Sequence, residues 1–471
     1  MRIALINEGT YPYGAGPVST WCHGLVRGLA EHAFWLVGVV DRAPASEYSV
    51  PANVAGLSAI LRGGPVIGPA RPVEVVSQHL GGISKAAVAR QHGRLATHAA
   101  VLLCRGMLDE SEHSAAMFRS GLRRLAGLAA DGTHPLAGVP LAAVLLDAWR
   151  ATPDPSLPGP TVGDAEHVAA LLELAVRPLA APVPEVDVCH AVHSGGPVLV
   201  ALSAKWRDGV PYVLTEHDVY LAGVVDGPPG VRAVMLRFLR ALTRLGYAEA
   251  AAVAPPDERM RRWALHHGAD RGLVTLIPPG VDPHDHPPLR EEPSGPVLAW
   301  LGEPAALPAM LHAFGLVRGS VPGARLIVIG DAPDRVRSLE GVSFSGPVTG
   351  YRGLFAKASV LVISGAHGGM PYPLIEAMLA GRATVCTENG GLAATVGIGA
   401  SVVPPDDPVR LAAACVDLLT DVRLRREIGT MARNRARTLF RLGAMLDGYR
   451  ELYEKALVSR PEPAERLVGA P

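Results

Sequence analysis

Short apolar runs alternate with helix-length amphipathic stretches along the whole chain, a pattern that predicts βαβ units and parallel sheets covered by helices on both faces. The runs place strands at 2–7, 34–40, 186–190, 212–215, 250–254 and 273–277 in the first half, and at 297–301, 325–330, 359–363, 383–386 and 401–403 in the second. Helical periodicity covers 111–130, 164–179, 409–419, 421–440 and 442–457. Two α/β sheets follow. The stretch 281–296, rich in Pro, His and charge and without periodicity, reads as an interdomain linker. The expected organisation is an N-terminal domain over 1–290 with a helical insertion at about 45–180, a C-terminal domain over 291–458 and a flexible tail over 459–471. The last closing helix is a candidate to cross back to the first domain.

Composition narrows the function classes. The 471 residues carry 44 Lys+Arg against 44 Asp+Glu, so nothing suggests a nucleic-acid footprint or a strongly basic membrane surface, and ligands must be recognised locally. Cys22, Cys104, Cys189, Cys386 and Cys415 stand singly, with no Cys-x-x-Cys pair, and read as buried thiols in a reducing compartment. The apolar run after Met1-Arg2 is too short for a secretory leader and no window is long enough for a transmembrane span, so a cytoplasmic protein is expected. Nucleophile elbows, Walker loops and His-Glu-x-x-His motifs are absent from the sequence, which removes the usual support for hydrolase, kinase and metalloprotease readings.

Candidate chemistry lies where strands end. After the first strand, Gly14 and Gly16 leave the backbone open to a bulky anionic ligand ahead of a helix expected to start near Ser19. Such a glycine turn is structural about as often as functional. Thr215-Glu216-His217-Asp218 puts His217 at the carboxyl end of the strand 212–215, where open α/β sheets bind ligands. A lone His is more often packed or exposed, but two flanking carboxyl groups bring the balance close to even. His190-Ala191-Val192-His193-Ser194-Gly195-Gly196 follows another strand and could face it across one crevice.

In the second half, Ser364 to Met378 is the most informative run. Gly365, Gly368 and Gly369 can curl main-chain N–H groups into an anion nest ahead of Met370 and Pro371, and Glu376 falls in the first turn of the helix that follows. There it either complements the helix dipole or holds ribose hydroxyls. Gly390-Gly391 forms a second glycine turn after the next strand. His266-His267 and His284-Asp285-His286 fit exposed loops better than a metal site.

Together Glu8 to Tyr13, Gly16 to Trp21, Leu214 to Tyr220, Ile277 to Asp282 and Gly369 to Met378 resemble the retaining, family 4 type of glycosyltransferase, with its closest likeness to the cytoplasmic glycosyltransferase of Pel-type exopolysaccharide biosynthesis. The resemblance implies a GT-B fold, two Rossmann-like domains with parallel sheets facing across a cleft. It implies transfer of a sugar with retention from a nucleoside diphosphate sugar, a UDP-sugar, to a carbohydrate or other hydroxyl acceptor. No metal or cofactor is implied, and no nucleic-acid partner; peripheral association with a membrane synthase is. By family position Glu376 grips the ribose, Gly369 to Pro371 meet the donor, Gly16 lines the diphosphate, and His217 sits beside the transferring sugar; Gly14, Gly368, Gly390 and Gly391, from the glycine turns, are further candidate contacts to the nucleotide sugar. The sequence departs from the family at Gly368, where the family has a donor-contacting Glu, at Gly302 to Leu307, which lacks the diphosphate-binding Arg and Lys, and after Gly391, where Leu392 replaces the usual acid. A catalytically reduced relative that binds nucleotide sugar or serves in assembly is the alternative; a GT-B epimerase lacks the pair of acids it would need.

Overall fold

A computed structural model describes residues 1–14, 16–40, 46–61, 66–70, 85–130, 132–152, 154–219, 227–289, 291–330, 339–346, 348, 350–364, 372–388 and 392–459. The chain divides into two compact units, one built from residues up to Ile277 together with those from Gly448 onward, the other from Pro278–Asp447.

The first unit holds β1 (Arg2–Asn7), β2 (Ala33–Val40), β3 (Val54–Leu61), β4 (Val66–Ala70), β5 (Val188–Val192), β6 (Tyr212–Thr215) and β7 (Ala252–Ala254), in the spatial order β4-β3-β2-β1-β5-β6-β7. All neighbours are parallel except β3 and β4. The second unit holds β8 (Val297–Gly302), β9 (Arg325–Val328), β10 (Val342–Phe344), β11 (Val360–Ser364), β12 (Ala383–Thr387) and β13 (Ser401–Val403), ordered β10-β9-β8-β11-β12-β13 and parallel throughout. Each sheet therefore grows outward from its first strand, then reverses and continues on the other side, which makes the β1/β5 and β8/β11 boundaries topological switch points. Strands β5, β6, β11 and β12 are buried along their whole length because helices cover both faces, and this is why they read as predominantly apolar runs.

The region expected as a helical insertion opens instead with β3 and β4, then continues as the helices Lys85–Leu108, Ser114–Leu128, Leu141–Arg150 and Val162–Val176. β3 alternates in burial with Gly56 and Ser58 at two of its buried positions, which interrupts the apolar run and hides it from a search for such runs. Gly56 is required there: a Cβ would lie 2.3 Å from the Trp35 ring, whose Nε1 donates to Ser58 at 3.1 Å. The strand expected at 273–277 is a single bridge from Val274 to Val253, with Leu273 and Leu276 exposed. The stretch 281–296 is not a free linker. Arg352 and Arg433 donate to the carbonyls of Pro287 and His286, Arg382 to that of Glu291, and Arg425 pairs with Glu292, so it is bound to the second unit and the junction lies at Ile277/Pro278, ahead of the expected 290/291.

The last helix, Leu442–Val458, returns its C-terminal half to the first unit, which moves 448–458 out of the expected second domain. Tyr453 Oη and His190 Nδ1 are 2.7 Å apart, His190 Nε2 and Thr215 Oγ1 2.7 Å, and Thr215 Oγ1 and Tyr449 Oη 3.0 Å, all fully buried. Burial holds the His190 imidazole neutral, its pKa lowered to about 3. Because an unfolded His titrates near 6.5, the unfolded chain takes up a proton that the fold refuses as pH falls from about 6.5 towards 3, and stability is lost across that window by up to about 1.4 kcal/mol per pH unit. Urea unfolding at pH 7 and pH 5 should show a shallower acid loss for His190→Gln than for the wild-type chain. Tyr453→Phe, which leaves the imidazole one partner short, should cost about 1–3 kcal/mol at pH 7.

Candidate functional site

The carboxyl edge of the first sheet gathers groups from β1, β5 and β6 at its switch point. Glu8 follows β1 and its Oε1 accepts from the N–H of Gly196, at the start of the helix Gly196–Asp208, at 2.9 Å. His193 follows β5 with φ of 77°, a conformation sparsely populated for residues other than glycine. Glu216 and His217 follow β6. Glu216 is fully buried, accepts from Ser194 N at 3.2 Å and Tyr247 Oη at 3.0 Å, and lies 3.9 Å from His193 Nδ1. Burial outweighs these bonds and raises its pKa to about 7.

His217 is 1% exposed and neither ring nitrogen finds a hydrogen-bond partner among the described residues. Its ring stands edge-on to Trp21 at 4.5 Å and to His193 at 5.4 Å. Burial first, then the neighbouring His193 and His190, hold its pKa well below the usual range. The result is a neutral imidazole that can donate from one nitrogen and accept at the other. Leaving such a group unpaired in a protein interior costs about 1–3 kcal/mol, which a ligand hydroxyl would remove.

Gly14 and Gly16 lie in the loop after β1. Gly14 N donates to Thr10 O at 2.6 Å, and Asn7, fully buried, holds the loop by accepting from Thr10 N and donating to Tyr11 O. Gly16 caps a helix that starts at Pro17, ahead of the expected Ser19, because Pro at the first helical position lacks only an N–H that would be unpaired.

In the second unit, β8 and β11 end side by side at Gly302 and Ser364. A Cβ on Gly302 would lie 2.2 Å from the Trp300 ring and 2.5 Å from Ser364 O, and Trp300 Nε1 donates to Ser364 Oγ at 2.6 Å. Beside this switch point a cavity of about 250 Å³ is lined by Glu303, Ala305, Ser364, Thr387, Asp406 and Asp407 among others, with no Arg or Lys among the described residues that line it. Asp407 also caps the helix Pro408–Thr420 through Arg410 N. Glu376 sits past the first turn of the helix Tyr372–Ala380, rather than in it, because the helix begins one residue after Pro371. Burial raises its pKa to about 7. The expected donor contacts at Gly368, Gly369, Met370, Pro371, Gly390 and Gly391 lie outside the described residues.

Of Arg232, Arg237, Arg352 and Arg382, the arginines that the sequence offers in place of the missing diphosphate contacts, three are committed elsewhere. Arg237 pairs with Asp154, Arg352 with Pro287 O, and Arg382, 5% exposed, with the carbonyls of Phe355 and Glu291. Sequence reasoning missed Glu216 as a buried acid with a raised pKa, since only its adjacency to His217 marked it. Among the described residues no group of three or more His, Cys, Asp or Glu side chains could hold a metal ion, and no helix is long and apolar enough to cross a membrane.

Residues 1–272 match the family model described as "Domain of unknown function (DUF3492)". The chain belongs to that family. Residues 296–421 match a second model, "Glycosyl transferases group 1". A 2-deoxystreptamine N-acetyl-D-glucosaminyltransferase from Streptomyces fradiae is 29% identical over 274 residues, 51% of this chain and 64% of that protein. The chain spans less than two thirds of the length of the curated relatives it matches. Among solved structures, sucrose-phosphate synthase from Thermosynechococcus elongatus superposes with a TM-score of 0.59 at 15% identity, covering 97% of this chain and 99% of that one. Anabaena HepE in complex with UDP gives 0.59 at 14% identity, covering 96% and 100%. With the strand orders above, these neighbours establish a two-domain α/β GT-B fold for the DUF3492 member.

A raised carboxyl in this protein makes a specific claim on pH. Between about pH 4.5 and 7 folded Glu216 keeps a proton that the unfolded chain gives up, so stability present in acid is lost as pH rises through that window, by up to about 3 kcal/mol. Urea unfolding at pH 5 and pH 8 should show this loss shrinking in Glu216→Gln.

Proposed function

We propose that the chain is a retaining glycosyltransferase of polysaccharide or glycoconjugate biosynthesis, of the Pel type, using a nucleoside diphosphate sugar. The observation that carries the reading is the switch-point cavity of the second sheet, walled by Glu303, Ser364, Thr387 and Asp406 at the ends of parallel strands. Carboxylates and hydroxyls there suit the hydroxyls of a ribose or sugar. A diphosphate would instead lie against main-chain N–H groups and helix N-termini, which stabilise charge developing on the leaving group. The match of residues 296–421 to glycosyl transferases group 1 and the UDP carried by Anabaena HepE support the same donor class. Glu376 is assigned to the ribose and His217 to the transferring sugar or acceptor hydroxyl, the latter supported by its two unpartnered ring nitrogens.

The commitment of Arg237, Arg352 and Arg382 elsewhere favours a second reading, a nucleotide-sugar-binding homologue of reduced activity. A charge-assisted contact contributes about 1.5–3 kcal/mol, so lacking two at the leaving group could remove several powers of ten in rate.

Thermal-shift titration with uridine, guanosine and adenosine diphosphates and their sugars should give stabilisation by one nucleotide class, and Glu376→Ala should weaken that binding about 10-fold or more. Absence of any shift, or an unchanged shift in Glu376→Ala, rejects the assignment. His217→Ala should leave nucleotide binding intact while lowering sugar transfer or donor hydrolysis at least 10-fold. Binding without turnover in the wild-type chain selects the second reading.

A further inference from the structure

A second cavity, of about 860 Å³, lies in the first unit between the insertion helices Lys85–Leu108 and Ser114–Leu128 and the helices Pro229–Glu249 and Glu258–His266. Glu249, at its edge, stands just ahead of β7, on the amino side of the sheet, whereas His193 and His217 stand at carboxyl ends. This groove is therefore separate from the site above.

The groove's charges fall into two sets. Arg119 is paired with Glu249, which Lys205 also contacts, and Arg237 with Asp154 and Glu110. Arg240 and Arg244 make no ion pair among the described residues although they stand four apart on one exposed helix face, an arrangement that is unfavourable for like charges without a counterion. His266 and His267 close the same wall, their rings 5.0 Å apart, with His267 stacked on Trp263 at 3.9 Å and its Nδ1 3.0 Å from Trp263 O. Burial chiefly, then the positive charge of His266, Arg244 and Arg240, lowers the pKa of His267, while only the Trp263 carbonyl opposes this. Asp109, the remaining acid of the groove, is occupied by Ser111 N and Oγ. Met107, Phe118 and Leu245, largely buried, supply apolar lining, Leu245 from the same helix as Arg240 and Arg244.

We infer that this groove is a binding site for a small amphiphilic anion, its phosphate held by Arg240 and Arg244 with His266 and His267 beside it, and its apolar body laid against Met107 and Leu245. The volume falls within the range of small-molecule sites, and the planar guanidinium fork matches a phosphate bidentately. An anion at this wall also favours protonation of His267, so Trp263 stacked on it supplies a fluorescence reporter. The inference does not depend on the glycosyltransferase reading, since it uses no residue of either switch point.

The test titrates the full chain at pH 7 with n-octyl phosphate, reading Trp263 fluorescence against a Trp263→Phe control and heat by calorimetry. Saturable one-to-one binding is expected, weakened at least 10-fold in Arg240→Gln/Arg244→Gln and unchanged in Arg423→Gln, an exposed arginine of the second unit. Inorganic phosphate should compete weakly and n-octanol more weakly still. Equal affinity in the double variant, equal competition by n-octanol, or no binding of n-octyl phosphate overturns the inference; so does an acidic peptide that binds this wall where n-octyl phosphate does not. Nucleotide-induced thermal shifts serve as the internal control for folding, because they should survive in the double variant.

Discussion

Parallel strand connection is the constraint on which the molecule depends. A parallel pair cannot be joined by a tight turn, so most crossovers here, among them those from β1 to β2, β5 to β6 and β11 to β12, carry a helix across the sheet, and the loops that leave the parallel strands emerge on the same edge. When the strand order reverses, at β1/β5 and again at β8/β11, successive crossovers pass to opposite faces and leave a gap between the first helices on either side. Glu8, His193, Glu216 and His217 collect at one of these gaps, and Glu303, Ser364 and Thr387 at the other. The chemistry-bearing side chains lie there because the strand ends place them beside these boundaries.

At the first of these edges burial favours the uncharged forms of Glu216, His190 and His217. Burial raises the Glu216 carboxyl to about 7, and it holds His190 and His217 well below the range in which they would be cations. A neutral imidazole and a carboxyl near its titration point can exchange hydrogen bonds with sugar hydroxyls without the desolvation cost of fixed ions. The final helix contributes to this setting: Tyr449 and Tyr453 complete the hydrogen bonds of Thr215 and His190 directly beneath the edge, so a segment distant in sequence supports the floor of the site.

Arginine serves mainly as an architectural residue in the second unit. Arg352, Arg382, Arg425 and Arg433 bind the Pro-rich stretch around 286–292 through carbonyls and Glu292, which turns a segment without regular structure into part of the unit's surface. Among the described residues that line the switch-point cavity there is no Arg or Lys.

Much of this was legible in the sequence because parallel strands buried on both faces leave continuous apolar runs; β1, β2, β6, β8, β9, β11, β12 and β13 all follow such runs. The strands β3 and β10, with mixed burial, left no comparable trace, nor did β4 at the sheet's edge, and 273–277, apolar but ending at Pro278-Pro279, imitated one. His217 could be singled out from its place after a strand, but its lack of partners could not, since that depends on Trp21 and His193 closing around it. The sequence by itself determined the α/β class, the two-unit organisation and the loops in which function could reside, because hydrophobic period and glycine placement are local properties. Only the tertiary structure decided which carboxyl and imidazole groups stay neutral, which arginines are already paired and where the last helix docks, because burial and pairing are set by residues hundreds of positions apart.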